Sequence, residues 1–437
     1  MQGTESKLAA LRYTGYRRDP APQRDLYMTQ VERGTPGGEY HRRFWQPVAY
    51  AHELGDRALR ARALGEDLVI FRDKSGHTGA LQLHCCHRNA SLEFGLIQER
   101  GIRCCYHGRV FDVDGTMLEI PGEPDRLKYA MSQGAYPTHV YGGIVFIYMG
   151  PMERKPVFPT YDFMDLPGVE IVTGIRLEVD CNWLQMRENT MDPAHTFTLH
   201  AIPQWRGMRH FSPQMEVRPE FVFTDTPIGM IYSAARRVGD NVWVRSAESL
   251  GPNLRRITSI FEEATEVRSC SPPFVTFWTL PVDDEHSISF FVSHVTDDEP
   301  MPFEKRRALE VFGQYDDRPY EERQWIPGDY DAQVSQGPVS STKEHLGSQD
   351  RGVVLFRRYI RRNIEAVERG EDPHGVYLED PGVLPSYAND RVVPVSEIKG
   401  DPDDPAALVA FAELTAQDYL AHPPLTPLRA PSPVIAT

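Results

Sequence analysis

The sequence predicts an α+β protein of two units: a small all-β module, then a larger antiparallel sheet flanked by helices. Three observations carry that prediction. Short runs of β-forming residues punctuated by turn residues crowd positions 67–148, longer alternating runs with hairpin turns fill 170–295, and a helical period of apolar residues begins after Ser348. The chain of 437 residues, 41% hydrophobic and 25% charged, has the balance of an ordinary folded protein and the length for two or three cores.

Taken in order, residues 1–42 are polar, carry Pro20, Pro22 and Pro36, and read as an N-terminal extension. The first domain, 43–155, opens where RRFWQPV (42–48) turns apolar. Its strands are DLVIF (67–71), ALQL (80–83), VFDV (110–113) before Asp114-Gly115, and IVFIY (144–148). Pro151 to Pro159 reads as a linker into a second domain, 156–437. There Ile171, Thr173, Ile175, Leu177 and Val179 alternate along one half-buried strand, and hairpins turn at Gly239-Asp240 and Asp283-Asp284. Helices are expected from Asn182 to about His200 and after Ser348, where Val353, Phe356, Ile360, Ile364 and Val367 share a face up to Gly370. Beyond Glu371 the chain is proline-rich, with one helical stretch at 405–420, and is expected to wrap the surface.

Composition excludes several functions. A net charge of −15 argues against a nucleic-acid partner, since phosphate binding needs clustered Lys and Arg. Residues 1–17 lack an apolar signal region and no run of about 18 apolar residues occurs, so neither secretion nor membrane spanning is expected, and the compartment is read as cytoplasmic. Four of the six cysteines fall in two adjacent pairs, Cys85-Cys86 and Cys104-Cys105, which in a reducing compartment points to metal rather than to disulfides.

Cys85-x-His87 and Cys104-x-x-His107 are the strongest signal. Two thiolates and two imidazoles suit zinc or a [2Fe–2S] centre in which two His replace two Cys on one iron. Zinc modules usually pair Cys with Cys and His with His, whereas here each short segment supplies one of each, as mixed cluster ligation requires. Cys86 and Cys105 miss the ligand spacing and are read as non-ligands without a disulfide.

The second constellation is Asn189, Asp192, His195 and His200. His195 and His200 are five apart, so a regular helix would splay them; both reach one metal only if the helix ends or distorts, which Pro193 makes plausible. Two His and a carboxylate with open positions form the facial triad of non-haem Fe(II) oxygenases.

The loops CCHRNASLEFG (85–95) and CCYHGRVFDVDG (104–115) resemble the Rieske ferredoxin signature, with Asn89 where Gly is usual and Arg109 where Trp is usual. Arg109 is placed where it could alter the cluster's contact with a neighbouring subunit. With the second constellation, the stretch from about Arg42 to Arg358 resembles the α subunits of Rieske non-haem iron oxygenases. The resemblance implies a Rieske domain followed by a helix-grip, START-like catalytic domain. It implies that Cys85, His87, Cys104 and His107 hold the cluster and that His195 and His200 bind Fe(II). Asp192 would bridge to the Rieske histidine of a neighbouring subunit in a trimer, with Asn189 beside the iron. Comparison with phthalate- and phenoxybenzoate-type oxygenases favours Asp329 as the third ligand, ahead of Asp331; Asp350 is read as an N-terminal helix residue.

The chain has no Walker motif, no G-x-G-x-x-G and no plant-type ferredoxin cysteine run, so a separate NAD(P)H-dependent reductase or ferredoxin is implied. The branch resembled hydroxylates aromatic carboxylates or demethylates aryl ethers, as dehydrodivanillate O-demethylase does. Monooxygenation of such a substrate with O2 is therefore expected. Ring dihydroxylation is the nearest alternative; an electron-transfer Rieske protein would need only the cluster, and a helix-grip ligand carrier neither metal. Arg236, Arg237 and Arg245 in the central hairpin could include an anchor for a substrate carboxylate.

Overall fold

The computed structural model describes residues 25–208, 211–298, 301–316, 318–338 and 344–429. Residues 1–24 of the expected N-terminal extension lie outside them; its remainder forms two short helices, Leu26–Thr29 and Pro36–His41.

Residues 45–148 hold three small antiparallel sheets. Four strands there are the apolar runs legible in the sequence: β1 (Trp45–Tyr50), β2 (Glu66–Arg72), β3 (Thr78–Gln82) and β4 (Ile144–Tyr148). β4 is buried throughout, between β1 and Thr138–Tyr141, which is why its sequence is continuously apolar rather than alternating. The VFDV run is shorter than expected, with Val110–Phe111 alone in strand. Asp112 begins a turn instead: its N–H donates to Thr116 O, its C=O accepts from Gly115, and its carboxylate pairs with Arg100.

The second half is built on one antiparallel sheet. Its strands are β5 (Val169–Thr173), β6 (Glu220–Thr226), β7 (Gly229–Val238), β8 (Asn241–Leu250), β9 (Leu254–Ile257), β10 (Val275–Pro281), β11 (Ser287–Thr296) and β12 (Asp390–Pro394). They pair in the order β5-β11-β10-β9-β8-β7-β6, with β12 beside the first half of β8. The expected single strand over 170–179 is in fact two, because the chain breaks at Gly174 and resumes at Leu177–Val179, still beside β11. Gly174 packs so closely on Phe291 that a Cβ would lie 2.3 Å from the ring.

Three helices back this sheet: α1 (Trp183–Glu188), α2 (Arg351–Glu368) and α3 (Pro405–Ala421). α2 buries Val353, Phe356, Ile360, Ile364 and Val367, the face read from the sequence, in a core shared with Trp183 and Met191. The C-terminal stretch does more than wrap the surface. β12 is a strand of the main sheet, and Leu408 and Ala412 of α3 pack with Val222, Ala235, Val244 and Val393. Tyr50, on β1, donates from its hydroxyl to Ile175 O and accepts from Phe291 N–H, and Asn253 donates to Trp45 O, so the small sheets are pinned to the large one. Among the described residues no helix is long and apolar enough to cross a membrane.

Candidate metal centres and the adjoining cavity

The two Cys/His loops are built alike. In one, Cys85 N–H donates to Ala90 O and Asn89 N–H to Cys85 O, both at 2.9 Å; in the other, Cys104 N–H donates to Arg109 O at 2.8 Å and Gly108 N–H to Cys104 O at 3.1 Å. The residue closing each turn is left-handed, with φ of 58° at Asn89 and 69° at Gly108. Glycine enters that region freely and asparagine tolerates it, so Asn89 replaces the usual glycine without changing the loop's path.

Cys85 and Cys104 sit in an apolar cluster with Leu83, Leu92, Ile102 and Phe111. Burial pushes the Cys85 thiol up to about 11, so a thiolate there requires a cation to stabilise it. His87 and His107 meet at the rim, ring centroids 4.6 Å apart, and among the described residues His87 Nδ1, which is buried, has no hydrogen-bond partner. Two buried thiols below two imidazoles, one with an orphaned nitrogen, is the donor set of a mixed-ligand [2Fe–2S] cluster. Cys86 and Cys105 are exposed free thiols.

Gln133, which the sequence offered no reason to single out, braces the first loop: it accepts from Cys86 N–H and donates to Gln82 O and His84 O. Arg109 is buried, its Nη1 3.4 Å from Met131 Sδ, so its guanidinium packs within the module beside the second loop.

The second centre comes from three separated segments. The helix expected over 182–200 is short: α1 ends at Glu188, and tighter turns, Asn189–Met191 and Pro193–Phe197, follow. Asp192 caps the second turn, accepting from Ala194 N–H at 3.2 Å, with Pro193 at its first position. This break brings His195 and His200 together, ring centroids 5.1 Å apart.

Asp329 arrives from the far side. Gly313 and Gly328 cross so closely that a Cβ on Gly328 would lie 2.3 Å from Gly313 Cα, and this crossing sets the following residues, Gln314 and Asp329, side by side with a hydrogen bond between them. Asp329 Oδ1 lies 3.6 Å from His195 Nε2 and Oδ2 lies 3.5 Å from His200 Nε2. Ligands about 2.1 Å from a metal at right angles would be about 3 Å apart, so the three side chains could hold one ion with little movement.

Asn189 Nδ2 donates to Asp329 Oδ1 at 3.1 Å and lies 3.4 Å from His195 Nε2. Burial alone would raise the Asp329 carboxyl, but His200, His195 and the amides of Gln314 and Asn189 hold it below its ordinary value. Burial pushes the His200 imidazole down to about 4. An ionised carboxylate and a neutral imidazole are the states a divalent metal needs. Asp331 instead accepts from Gly328 N–H and faces Arg318 and Arg323, and Asp350 accepts from Gly347 N–H at the start of α2. Half-buried Asp192, raised by burial, opens with Glu188 and Arg357 on a cleft of about 510 Å³.

His195, His200 and Asp329 also line a cavity of about 80 Å³, walled by Phe211, Ile257, Phe277 and other apolar side chains. Arg245 and Arg255 line it too. Of the other hairpin arginines, Arg236 is buried over Trp243 and donates to Gln214 O and Met215 O, while Arg237 pairs with Asp403, so neither reaches the cavity.

Residues 44–135 match the Rieske [2Fe-2S] domain. Over 93% of its length the chain is 41% identical to the oxygenase subunit of tert-butanol monooxygenase / tert-amyl alcohol desaturase from Aquincola tertiaricarbonis, covering 93% of that protein. It is 37% identical to phenoxybenzoate dioxygenase subunit alpha from Ectopseudomonas oleovorans, over 82% of this chain and 89% of that one. The chain belongs to the Rieske non-haem iron oxygenases, as a terminal oxygenase (α) subunit. It is therefore an enzyme component whose cofactors are a [2Fe–2S] cluster and a mononuclear iron. The fold is also that of NdmA from Pseudomonas putida CBB5, solved as the QL mutant with caffeine, at a TM-score of 0.60 and 19% identity over 77% of this chain and 94% of that one.

Proposed function

We propose that this chain monooxygenates an aromatic acid or an aryl methyl ether, by hydroxylation or O-demethylation. In balance, R–H, O2, two electrons and two protons give R–OH and water; a methyl ether hydroxylated on its methyl group then releases formaldehyde and leaves the phenol. The observation that carries the reading is the convergence of His195, His200 and Asp329, ligand atoms within 4.8 Å of one another, on the wall of an apolar cavity.

In this reading residues 43–155 form the Rieske domain, with Cys85, His87, Cys104 and His107 holding the cluster, and residues 156–437 form the catalytic domain, with His195, His200 and Asp329 holding Fe(II). Bound there, the cluster supplies single electrons and the iron a site for O2 activation. The protein's own part is to keep Asp329 ionised and His200 neutral, to fix Asp329 through Asn189 and Gln314, and to exclude water with apolar walls. Asp192 would supply a hydrogen-bonded path for electrons between this site and the cluster of a neighbouring subunit in a homotrimer. A separate reductase, with or without a ferredoxin, supplies them in the cytoplasm.

Two other readings have specific support. The relative named as a tert-butanol monooxygenase favours a small tertiary alcohol, and the one named as a phenoxybenzoate dioxygenase favours ring dihydroxylation. The test is iron and acid-labile sulfide per chain after anaerobic purification, with EPR of the reduced protein. About three irons and two sulfides are expected, falling to about two irons with an intact Rieske signal in His195→Ala. Turnover of 4-methoxybenzoate with a reductase is then followed by formaldehyde release. Two irons in both proteins, with no uptake of added Fe(II), would leave an electron carrier.

A further inference from the structure

We propose that Arg255, assisted by the Tyr232 hydroxyl, anchors the carboxylate of the substrate, so that the enzyme selects a small organic acid, of one ring or less, over neutral ethers and alcohols. The proposal rests on the reading that the cavity beside His195, His200 and Asp329 receives the substrate.

The cavity floor is one face of the large sheet. Arg255 and Ile257 on β9 stand opposite Phe277 and Val275 on β10, and on the other side Ala247 of β8 faces Tyr232 of β7. The period of two puts these side chains on the same face, and a face this deeply buried is expected to be apolar. Arg255 breaks the pattern and is buried to 6% exposure.

Other buried arginines nearby make short contacts, although Arg187 and Arg245 also keep a buried Nε without a partner among the described residues. Arg256 pairs with Glu248, Arg187 donates to Ser249 Oγ and Leu254 O, and Arg245 donates to Tyr232 Oη at 2.9 Å and Thr258 O at 3.2 Å. Among the described residues Arg255 makes one long contact, Nη1 to Thr190 Oγ1 at 3.4 Å, its buried Nε has no partner, and no carboxylate comes within ion-pair distance. Its guanidinium lies 4.5 Å over the Phe277 ring, on the cavity wall. Burial pushes Arg255 down to about 10, with Asp329 pulling it back up, so it stays charged at neutral pH.

A buried cation with no carboxylate in ion-pair contact is costly, and a charge kept there is best explained by an anion that arrives. Carboxylate is the natural complement, since guanidinium donors match its two oxygens. Tyr232, which already accepts from Arg245, has its own proton left to donate. Size limits the rest of the ligand: the cavity is compact, about 80 Å³, which suits an acid of one ring or less.

The experiment is calorimetric binding of 4-methoxybenzoate, its neutral amide and tert-butanol to the iron-loaded enzyme, with oxygen uptake, driven by NAD(P)H and a reductase, measured in parallel. Wild type is expected to bind the acid at least tenfold more tightly than the amide. Arg255→Met should weaken the acid by one to two orders of magnitude while leaving the amide within about threefold, and Tyr232→Phe should weaken the acid several-fold, both with unchanged iron content. A wild type that binds amide or alcohol as well as acid, or an Arg255→Met variant that keeps the preference, overturns the anchor. Oxygenation of the neutral compound would in that case leave the monooxygenase reading standing. Failure of all three compounds to bind or to be oxidised would remove both.

Discussion

The two metal centres are assembled in opposite ways. The proposed cluster loops are local: each Cys/His pair lies within four residues, and each loop closes on itself through two backbone hydrogen bonds of the same pattern. The iron site is composite, bringing a broken helix at 189–200 against a carboxylate more than a hundred residues later, through a crossing of two glycines. A local site is held by its own turns, and a composite one depends on everything that packs its parts together. The iron half should therefore be the more fragile, and acid should expose this most strongly.

His41, packed against Trp183, and His294, on β11, are fully buried, and burial, helped by neighbouring arginines, pushes each down to about 3. The sign follows from linkage. The folded pKa lies below the unfolded value of about 6.5, so stability is full above that value and falls as pH drops toward 3, because the unfolded chain takes up protons that the folded chain refuses. Between pH 7 and pH 5 each histidine should cost about 2 kcal/mol. Among described residues 45–148 no histidine is buried. Urea unfolding followed by tryptophan fluorescence should shift to lower urea at pH 5 before the visible absorption of the cluster does. Coincident shifts would mean that the shared core makes the halves unfold as one, and the comparison would fail.

Gly328→Ala tests the crossing itself. The added Cβ meets backbone rather than a flexible side chain, so Asp329 must move away from Gln314 and His200. Iron affinity should fall by roughly 10–100-fold, the range found when partners that orient a ligand are lost, while the EPR signal of the cluster stays unchanged. Retention of tight iron binding would show that the carboxylate finds the metal without this guide.

The same contrast explains what was legible in the sequence. The two Cys/His pairs could be read from spacing because the loops are short and self-contained. At the iron site the two histidines could be read, along with the need for a break near Pro193, since that break is local. Asp329 was legible through family resemblance, whereas nothing local distinguished it from Asp331; the glycine crossing that positions it involves Gly313, sixteen residues earlier, in no recognisable motif. Gln314, Gln133 and Arg255 were missed for the same reason: each is defined by partners brought together only by tertiary packing. The strand break at Gly174 was hidden because its alternating neighbours continue the pattern through it, and the role of β12 because its proline-rich surroundings resemble a surface tail.

The smallest effect sharpens the comparison within the cluster loops. Asn89 and Gly108 close equivalent turns in the same left-handed conformation, yet one carries a side chain. Asn89→Gly removes backbone strain but frees the unfolded chain, two terms of about 0.5–1 kcal/mol that nearly cancel, so the thermal bleaching of the cluster should move little. Gly108→Ala has no such compensation: alanine lacks the local hydrogen bonding that lets asparagine enter this region, and its Cβ would meet Pro121 Cγ at 3.3 Å. It should cost about 1–2 kcal/mol, bleaching the cluster at lower temperature with iron at the second site retained. Equal sensitivity at the two positions would show that the loops, alike in hydrogen bonding, are held by their surroundings rather than by their turns.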